Sequence, residues 1–301
     1  MSTPVAPATA PPNVTVGVIG LGTMGGRAAA ALTASGIAVV GHDIDEAARS
    51  RAAGDRVTVV SGSAAVARAA DIVLLSLPEP ADVLSVVAEL VPAAAGRLVV
   101  DLSTVEPATS RRAGAQLAAA GARFVDAPVL GRPSGCGGWT LPAGGSDEDV
   151  AAVAGLAVGT IAKAVEPVGP VGTGSLVKIL NNLMFGAINT VTAEVIDLAE
   201  RAGMPADRFV DVVRGSGAAT VSPLFNDVGP RMVRGEHEPT FSLALLHKDV
   251  RLGAALATAL SAPAEVTHTV LALTAAAHTA ETGALDTSVL IDTLRARRAT
   301  T

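Results

Sequence analysis

The chain contains no tyrosine, so any chemistry that needs a phenol as acid or base is excluded, the Tyr/Lys pair of short-chain dehydrogenases included. Its one cysteine, Cys136, can close no intrachain disulfide and can build no Cys-rich zinc site. The five histidines show neither an HExxH pair nor ligand-like clustering, so no metal is expected. Apolar runs as long as the ~18 residues a membrane helix needs are absent. The N-terminus lacks the basic start and apolar centre of a signal peptide. Basic blocks are missing too: 22 Lys and Arg stand against 28 Asp and Glu, a net charge of −6. That balance argues against nucleic acid or a membrane surface as partner. Together these absences predict a soluble, cytoplasmic protein.

What is present is largely apolar. Half of the 301 residues are hydrophobic and 17% are charged, enough to bury a sizeable core. At about 150 residues per domain the length predicts two domains. Residues 1–12, MSTPVAPATAPP, are rich in Pro, Ala and Thr and predict a disordered tail. From Val14 onward, short β-branched runs at Val14–Ile19, Ala38–Gly41, Ile72–Leu77, Leu98–Asp101 and Phe124–Val125 end at Gly, Pro or Asp. Ala-rich helical stretches lie between them, among them Arg27–Ala34, Asp82–Leu90 and Ala108–Ala120. This alternation predicts a parallel sheet wound with helices on both faces.

Glu166-Pro-Val-Gly-Pro170 reads as a hinge, beyond which the composition is helical to the end. Leu176–Arg201 is apolar nearly all round and is expected as a helix buried at a domain or subunit interface. So much apolar surface favours a homodimer or larger homo-oligomer. The expected architecture is α/β: a Rossmann-like, doubly wound domain over 13–166 that binds a dinucleotide, then an all-α domain over 167–301 for substrate and dimerisation.

The dinucleotide expectation rests on Gly20-Leu21-Gly22-Thr23-Met24-Gly25, which follows the strand VTVGVI and opens the helix RAAAALTAS. A lone GxGxxG is a weak signal, often only a turn. Here the strand, the helix and an acid are all in place, with Asp43 21 residues beyond Gly22 at the end of the second strand. The glycines permit a tight turn and close approach of a pyrophosphate to the helix N-terminus. A carboxylate at Asp43 accepts from a ribose diol and repels a 2′-phosphate. With Ile44 next and no Arg or Lys immediately at hand, NAD is the expected cofactor.

At this point the chain resembles the β-hydroxyacid dehydrogenases, the group of 3-hydroxyisobutyrate dehydrogenase, tartronate semialdehyde reductase and 6-phosphogluconate dehydrogenase. The resemblance spans almost the whole chain from Val14. It rests on GLGTMG at 20–25, Ser76-Leu77-Pro78, Asp101-Leu-Ser103-Thr104, Asp126-Ala-Pro-Val129, the run from Gly172 to Asn182, and Phe241 to Asp249. It implies that Leu77, Pro78 and Thr104 lie along the cofactor and that Ser103 donates to the substrate carboxylate. It further implies Lys178 as the catalytic lysine, Asn182 as the amide that orients the substrate hydroxyl, and Lys248 beside the cofactor. The chain is too short for 6-phosphogluconate dehydrogenase itself. It departs from the family where Ser-Gly-Gly usually follows D-A-P-V: here stand Leu130, Gly131 and Arg132. Leu130 removes a hydroxyl, and Arg132 adds a fork suited to a carboxylate, phosphate or sulfonate. The plain alternative for Arg132 is a solvated loop arginine.

Lys178 and Asn182 also stand out on their own. They are spaced i, i+4 on an otherwise apolar helix, so they share one face, and burying them without polar partners would cost a few kcal/mol each. A polar substrate removes that objection. A free lysine titrates near about 10.4, and desolvation beside apolar walls and a positive nicotinamide would lower it enough for general acid/base work. Cys136, with no adjacent histidine, reads as loop packing rather than a nucleophile. His247, His268 and His278 read as surface or structural residues. Asp249 pairs with Lys248 or caps the local network, and Trp139 packs the loop or walls the site. Two rival functions stand: an imine reductase, which generally lacks the lysine, and a dinucleotide-binding regulator without turnover.

Overall fold

The computed structural model describes residues 14–218 and 220–296; the expected tail over 1–12 lies outside the described residues. The chain forms two compact units, one ending at Lys178 and the other starting at Ile179. In the first unit, β1 (Thr15–Ile19), β2 (Ala38–His42), β3 (Thr58–Val59), β4 (Ile72–Leu75), β5 (Leu98–Asp101) and β6 (Arg123–Asp126) pair in parallel in the order β3-β2-β1-β4-β5-β6. Val16, Val18, Val73, Val99 and Val100 are fully buried, as expected for strands covered on both faces.

Six helices provide the cover: α1 (Thr23–Ala34), α2 (Glu46–Gly54), α3 (Ser63–Ala69), α4 (Pro80–Leu90), α5 (Pro107–Ala119) and α6 (Asp147–Ala157). One core cluster joins the sheet to α1, α2 and α6 through Ala28, Leu32, Ala48 and Val150. A separate cluster joins it to α3, α4 and α5 through Val66, Val83, Val87 and Leu117. Two cores, one on each face, make the sheet doubly wound. Helix starts follow local chemistry: Pro80 and Pro107 open α4 and α5, and Asp45 caps α2 by accepting from Ala47 N and Ala48 N.

The sheet continues where the sequence suggested loop and hinge. β7 (Trp139–Gly144) pairs antiparallel with β6, and β8 (Ala162–Gly169) runs parallel to β7 at the edge of the eight-stranded sheet. The expected hinge is therefore largely strand. Pro142, Pro167 and the flanking glycines hide it in the sequence, and the edge position of β8 tolerates Pro167, which has no N–H to give.

α7 (Thr173–Arg201) begins in the first unit and continues through the second, which also holds α8 (Ala206–Gly215), α9 (Pro223–Arg234), α10 (Leu243–Ala259), α11 (Glu265–Ala277) and α12 (Leu290–Ala296). Ala193 and Ile196 of α7 pack with Val210, Met232, Leu246, Val250 and Val270. The long helix is not buried all round, however: Leu180, Met184, Val191 and Leu198 are 48–66% exposed. By length and composition alone it could cross a membrane, but 44% of its most apolar window is packed inside the chain.

Candidate active site

Strand order reverses between β1 and β4, so their carboxyl ends open a crevice. The glycine loop leaves β1 and Ser76-Leu77-Pro78 leaves β4. Gly20 has φ +88°, and a Cβ there would lie 2.1 Å from Ser76 O. At Gly25 a Cβ would lie 1.9 Å from Gly20 O, whereas at Gly22 it would meet nothing within 4 Å. The first and last glycines therefore serve the turn, and the middle one leaves open space. Gly22 also begins α1 without a side-chain cap, and no acid stands in the first turn. Uncapped N–H groups at a helix start bind an anion, so this cradle fits a pyrophosphate. Gly22 and Thr23 are exposed beside it, Met24 is half-buried, and Leu21 points into the core.

Asp43 Oδ2 accepts from Leu21 N at 2.6 Å and Oδ1 from Asp45 N at 2.8 Å. The carboxylate is thereby locked against the glycine loop. The fold also brings up a cation that the local sequence did not suggest. Arg49 Nη1 donates to Asp43 O at 2.8 Å and to Ile44 O at 3.0 Å, because the first turn of α2 turns it back toward the end of β2.

The turns after β4 and β5 are stitched together. Leu77 N donates to Ser103 Oγ at 2.9 Å, and Ser103 N donates to Asp101 Oδ1 at 2.9 Å. Ser103 is buried, and a serine hydroxyl that accepts one hydrogen bond still carries a proton to donate. Leu77 and Thr104 are half-buried, and Pro78 is exposed.

Asp126, at the end of β6, accepts from Gly172 N at 2.6 Å through Oδ1 and from Ser175 N at 2.7 Å through Oδ2. Burial pushes its carboxyl above the ordinary 3.8, while these N–H groups at the start of α7 pull the other way. Three residues on, Val129 O accepts from Lys178 Nζ at 2.7 Å. The lysine is thus held against the segment that leads into Leu130-Gly131-Arg132. That segment is pinned in turn: Leu130 and Thr140 exchange backbone bonds at 2.9 and 3.1 Å, and Trp139 Nε1 donates to Arg132 O at 2.8 Å. A Cβ on Gly131 would lie 2.5 Å from Trp139 Cδ1. Trp139 is 1% exposed, so it packs the loop. Arg132 is half-buried. Cys136 Sγ reaches Arg27 O at 3.6 Å, and burial pushes its thiol above the ordinary value, the reverse of activation.

In the second unit Asn182 Nδ2 donates to Asp249 Oδ2 at 2.5 Å, and Lys248 Nζ pairs with Asp249 Oδ1 at 3.2 Å. All three residues are 2–7% exposed. Asn181 Nδ2 donates to Asn182 Oδ1 at 3.0 Å, so the Asn182 amide is oriented from both ends. Asp249 both pairs with Lys248 and caps the local network by accepting from Asn182, a partner the sequence does not name. Its only sequence signal is a carboxylate beside a lysine on a largely apolar helix. His247 bonds Thr274 Oγ1 at 3.2 Å and stacks on His278 at 5.4 Å. Burial first, then His278 and Arg251, hold its imidazole below the ordinary 6.5. His268 is exposed. No group of acids, histidines and cysteine suited to a metal occurs among the described residues.

Comparison with known proteins gives the same outline. A family model described as the NAD binding domain of 6-phosphogluconate dehydrogenase matches residues 15–169. One described as NAD-binding of NADP-dependent 3-hydroxyisobutyrate dehydrogenase matches 172–294. The probable 3-hydroxyisobutyrate dehydrogenase of Mycobacterium tuberculosis is 31% identical over 94% of this chain and 98% of its own. The solved 3-hydroxyisobutyrate dehydrogenase of that organism with L-serine superposes with a TM-score of 0.84 at 28% identity, over 94% of this chain and 99% of the other. An imine reductase from Pseudomonas sp. shares the fold, with a TM-score of 0.63 at 19% identity over 94% and 99% of the two chains.

Proposed function

Since the chain belongs to the β-hydroxyacid dehydrogenase family, and is thereby a nicotinamide-dinucleotide-dependent dehydrogenase acting on a hydroxyl group, we propose that it oxidises a small β-hydroxyacid, or reduces the matching carbonyl, with NAD and with Lys178 as general acid/base. The observation that carries this reading is the seat of Lys178, its ammonium 2.7 Å from Val129 O at the root of the loop that departs from the family. The glycine loop, Asp43, Leu77, Pro78 and Thr104 would hold the dinucleotide, with Lys248 as its further neighbour. When bound, the nicotinamide supplies the acceptor or donor of a hydride. Lys178 takes the hydroxyl proton during oxidation and returns it during reduction. Asn182, one helical turn away, presents an amide already oriented by Asp249 and Asn181 to the same hydroxyl. Ser103 donates to the substrate carboxylate, and Arg132 takes the place of the family's serine as a second anion grip. The reading extends to a homodimer or larger assembly in the cytoplasm; the exposed apolar side chains of α7 support the assembly.

The test is incubation of purified protein with NAD and a panel of hydroxyacids, followed by NADH absorbance. Turnover of a small β-hydroxyacid is expected. In a parallel assay with NADH or NADPH, reduction of cyclic imines without turnover of hydroxyacids would make it an imine reductase, and cofactor binding without turnover of either a regulator.

A further inference from the structure

Arg49 lies outside every motif that pointed to the cofactor, yet the fold brings it against the backbone of the residue expected to select that cofactor. Its Nη1 is fixed by two backbone carbonyls, Asp43 O at 2.8 Å and Ile44 O at 3.0 Å. The guanidinium is planar and rigid, so fixing one nitrogen restricts the whole fork to the β2–α2 turn. Nη2 and Nε meet no protein acceptor among the described residues. The side chain is half-buried, which lessens screening by solvent. Across the turn the Asp43 carboxylate is occupied by N–H groups on both oxygens, so it cannot swing away from the ribose position. A fixed anion and a fixed cation therefore belong to the same β2–α2 turn.

We propose that Arg49 is a second determinant of cofactor choice, opposed to Asp43, and that its two open donors receive a 2′-phosphate. The inference rests on the dinucleotide reading of the glycine loop. Asp43 makes NAD the preferred cofactor. Arg49 moderates that preference, so NADP is bound more weakly but not rejected.

The experiment is a fluorescence titration of NADH and NADPH on wild type, Arg49→Ala and Asp43→Asn, repeated with 5′-AMP and 2′,5′-ADP by calorimetry. Wild type should bind NADPH about tenfold more weakly than NADH. Arg49→Ala should weaken NADPH and 2′,5′-ADP by a further factor of about ten, the scale of one charged hydrogen bond, and change NADH and 5′-AMP by less than about twofold. NADPH binding to wild type should also depend more steeply on salt than in Arg49→Ala. Asp43→Asn should narrow the gap between the two cofactors from the other side. Equal weakening of both cofactors in Arg49→Ala would show that the arginine only braces the turn, and would overturn the inference while leaving NAD preference intact. Wild-type binding of NADPH equal to or tighter than NADH would instead remove the proposed NAD preference, with the role of Arg49 still judged by the ratio in its variant. If wild type bound neither reduced cofactor, the cofactor reading and the inference would fall together.

Discussion

Lys178 and Asn182 divide the proposed chemistry between a proton and an orientation, and their variants should fail differently. Replacing Lys178 by Ala or Met should lower kcat at least about 100-fold, the scale of a general acid/base, with the Kd for NADH nearly unchanged. Asn182→Ala should lose less in kcat and more in KM, because an oriented amide binds ground state and transition state alike. Wild-type turnover by Lys178→Ala would end the proposed mechanism. Both residues stand out in the sequence as candidates because each interrupts an apolar helix. Asp249 and Arg49 do not, because their partners are set by folding: Asn182 is 67 positions from Asp249, and Arg49 reaches Asp43 only through a helical turn. The substrate grip belongs to this scale too. Arg132→Ala should raise KM for anionic hydroxyacids roughly tenfold, and Leu130→Ser should shift preference toward smaller acids. A panel of acids varied in charge and side-chain size checks both, and unchanged KM values in the two variants would return Arg132 to a solvated loop role.

Among the elements, β1, β2, β4, β5, β6 and the helices α1, α4 and α5 could be read from period and punctuation, whereas β3, α2 and α3 are too short to stand out. β7 and β8 could not, since Pro142, Pro167 and the glycines mask strands that a neighbouring strand stabilises. Asp126 shows how one buried carboxylate joins elements, binding the end of β6 to the start of α7 and so setting where Lys178 stands. Asp286 does similar work in the second unit. Its carboxylate accepts from Thr240 N, Thr240 Oγ1, Phe241 N and Ser288 N and pairs with Arg231 at 3.6 Å. Burial raises its pKa, but the hydrogen bonds from Thr240, Ser288 and Phe241 outweigh it and hold the carboxyl below the ordinary 3.8. A depressed carboxyl stabilises the fold fully above its unfolded value, and that stability is lost as pH falls through the folded one. Asp286→Asn should therefore lower Tm clearly at neutral pH, with the gap to wild type shrinking as pH falls below the ordinary 3.8. A gap constant with pH, followed by calorimetry, would show that the charge contributes nothing there.

At the scale of the whole molecule, the exposed seam of α7 is a feature that a single chain leaves unexplained. Leu180, Met184, Val191 and Leu198 recur at helical spacing and stand 48–66% exposed. If they meet a second copy, Leu180→Glu with Met184→Glu should shift the mass seen by light scattering from oligomer to monomer. An unchanged mass would place the interface elsewhere. The sequence showed this helix to be apolar, but not which of its faces the chain itself covers. The first unit has a different asymmetry. Every expected cofactor residue of that unit follows the carboxyl end of a strand, while the turns that lead into β5 and β6, Arg97 N to Ala94 O and Gly96 N to Gly121 O, lie at the amino ends. The enzyme thus has a working rim and an idle rim. Tethers, labels or fused partners attached at Gly96 or Gly121 would be carried on the idle rim, so an immobilised catalyst could present its cofactor crevice to solution by design.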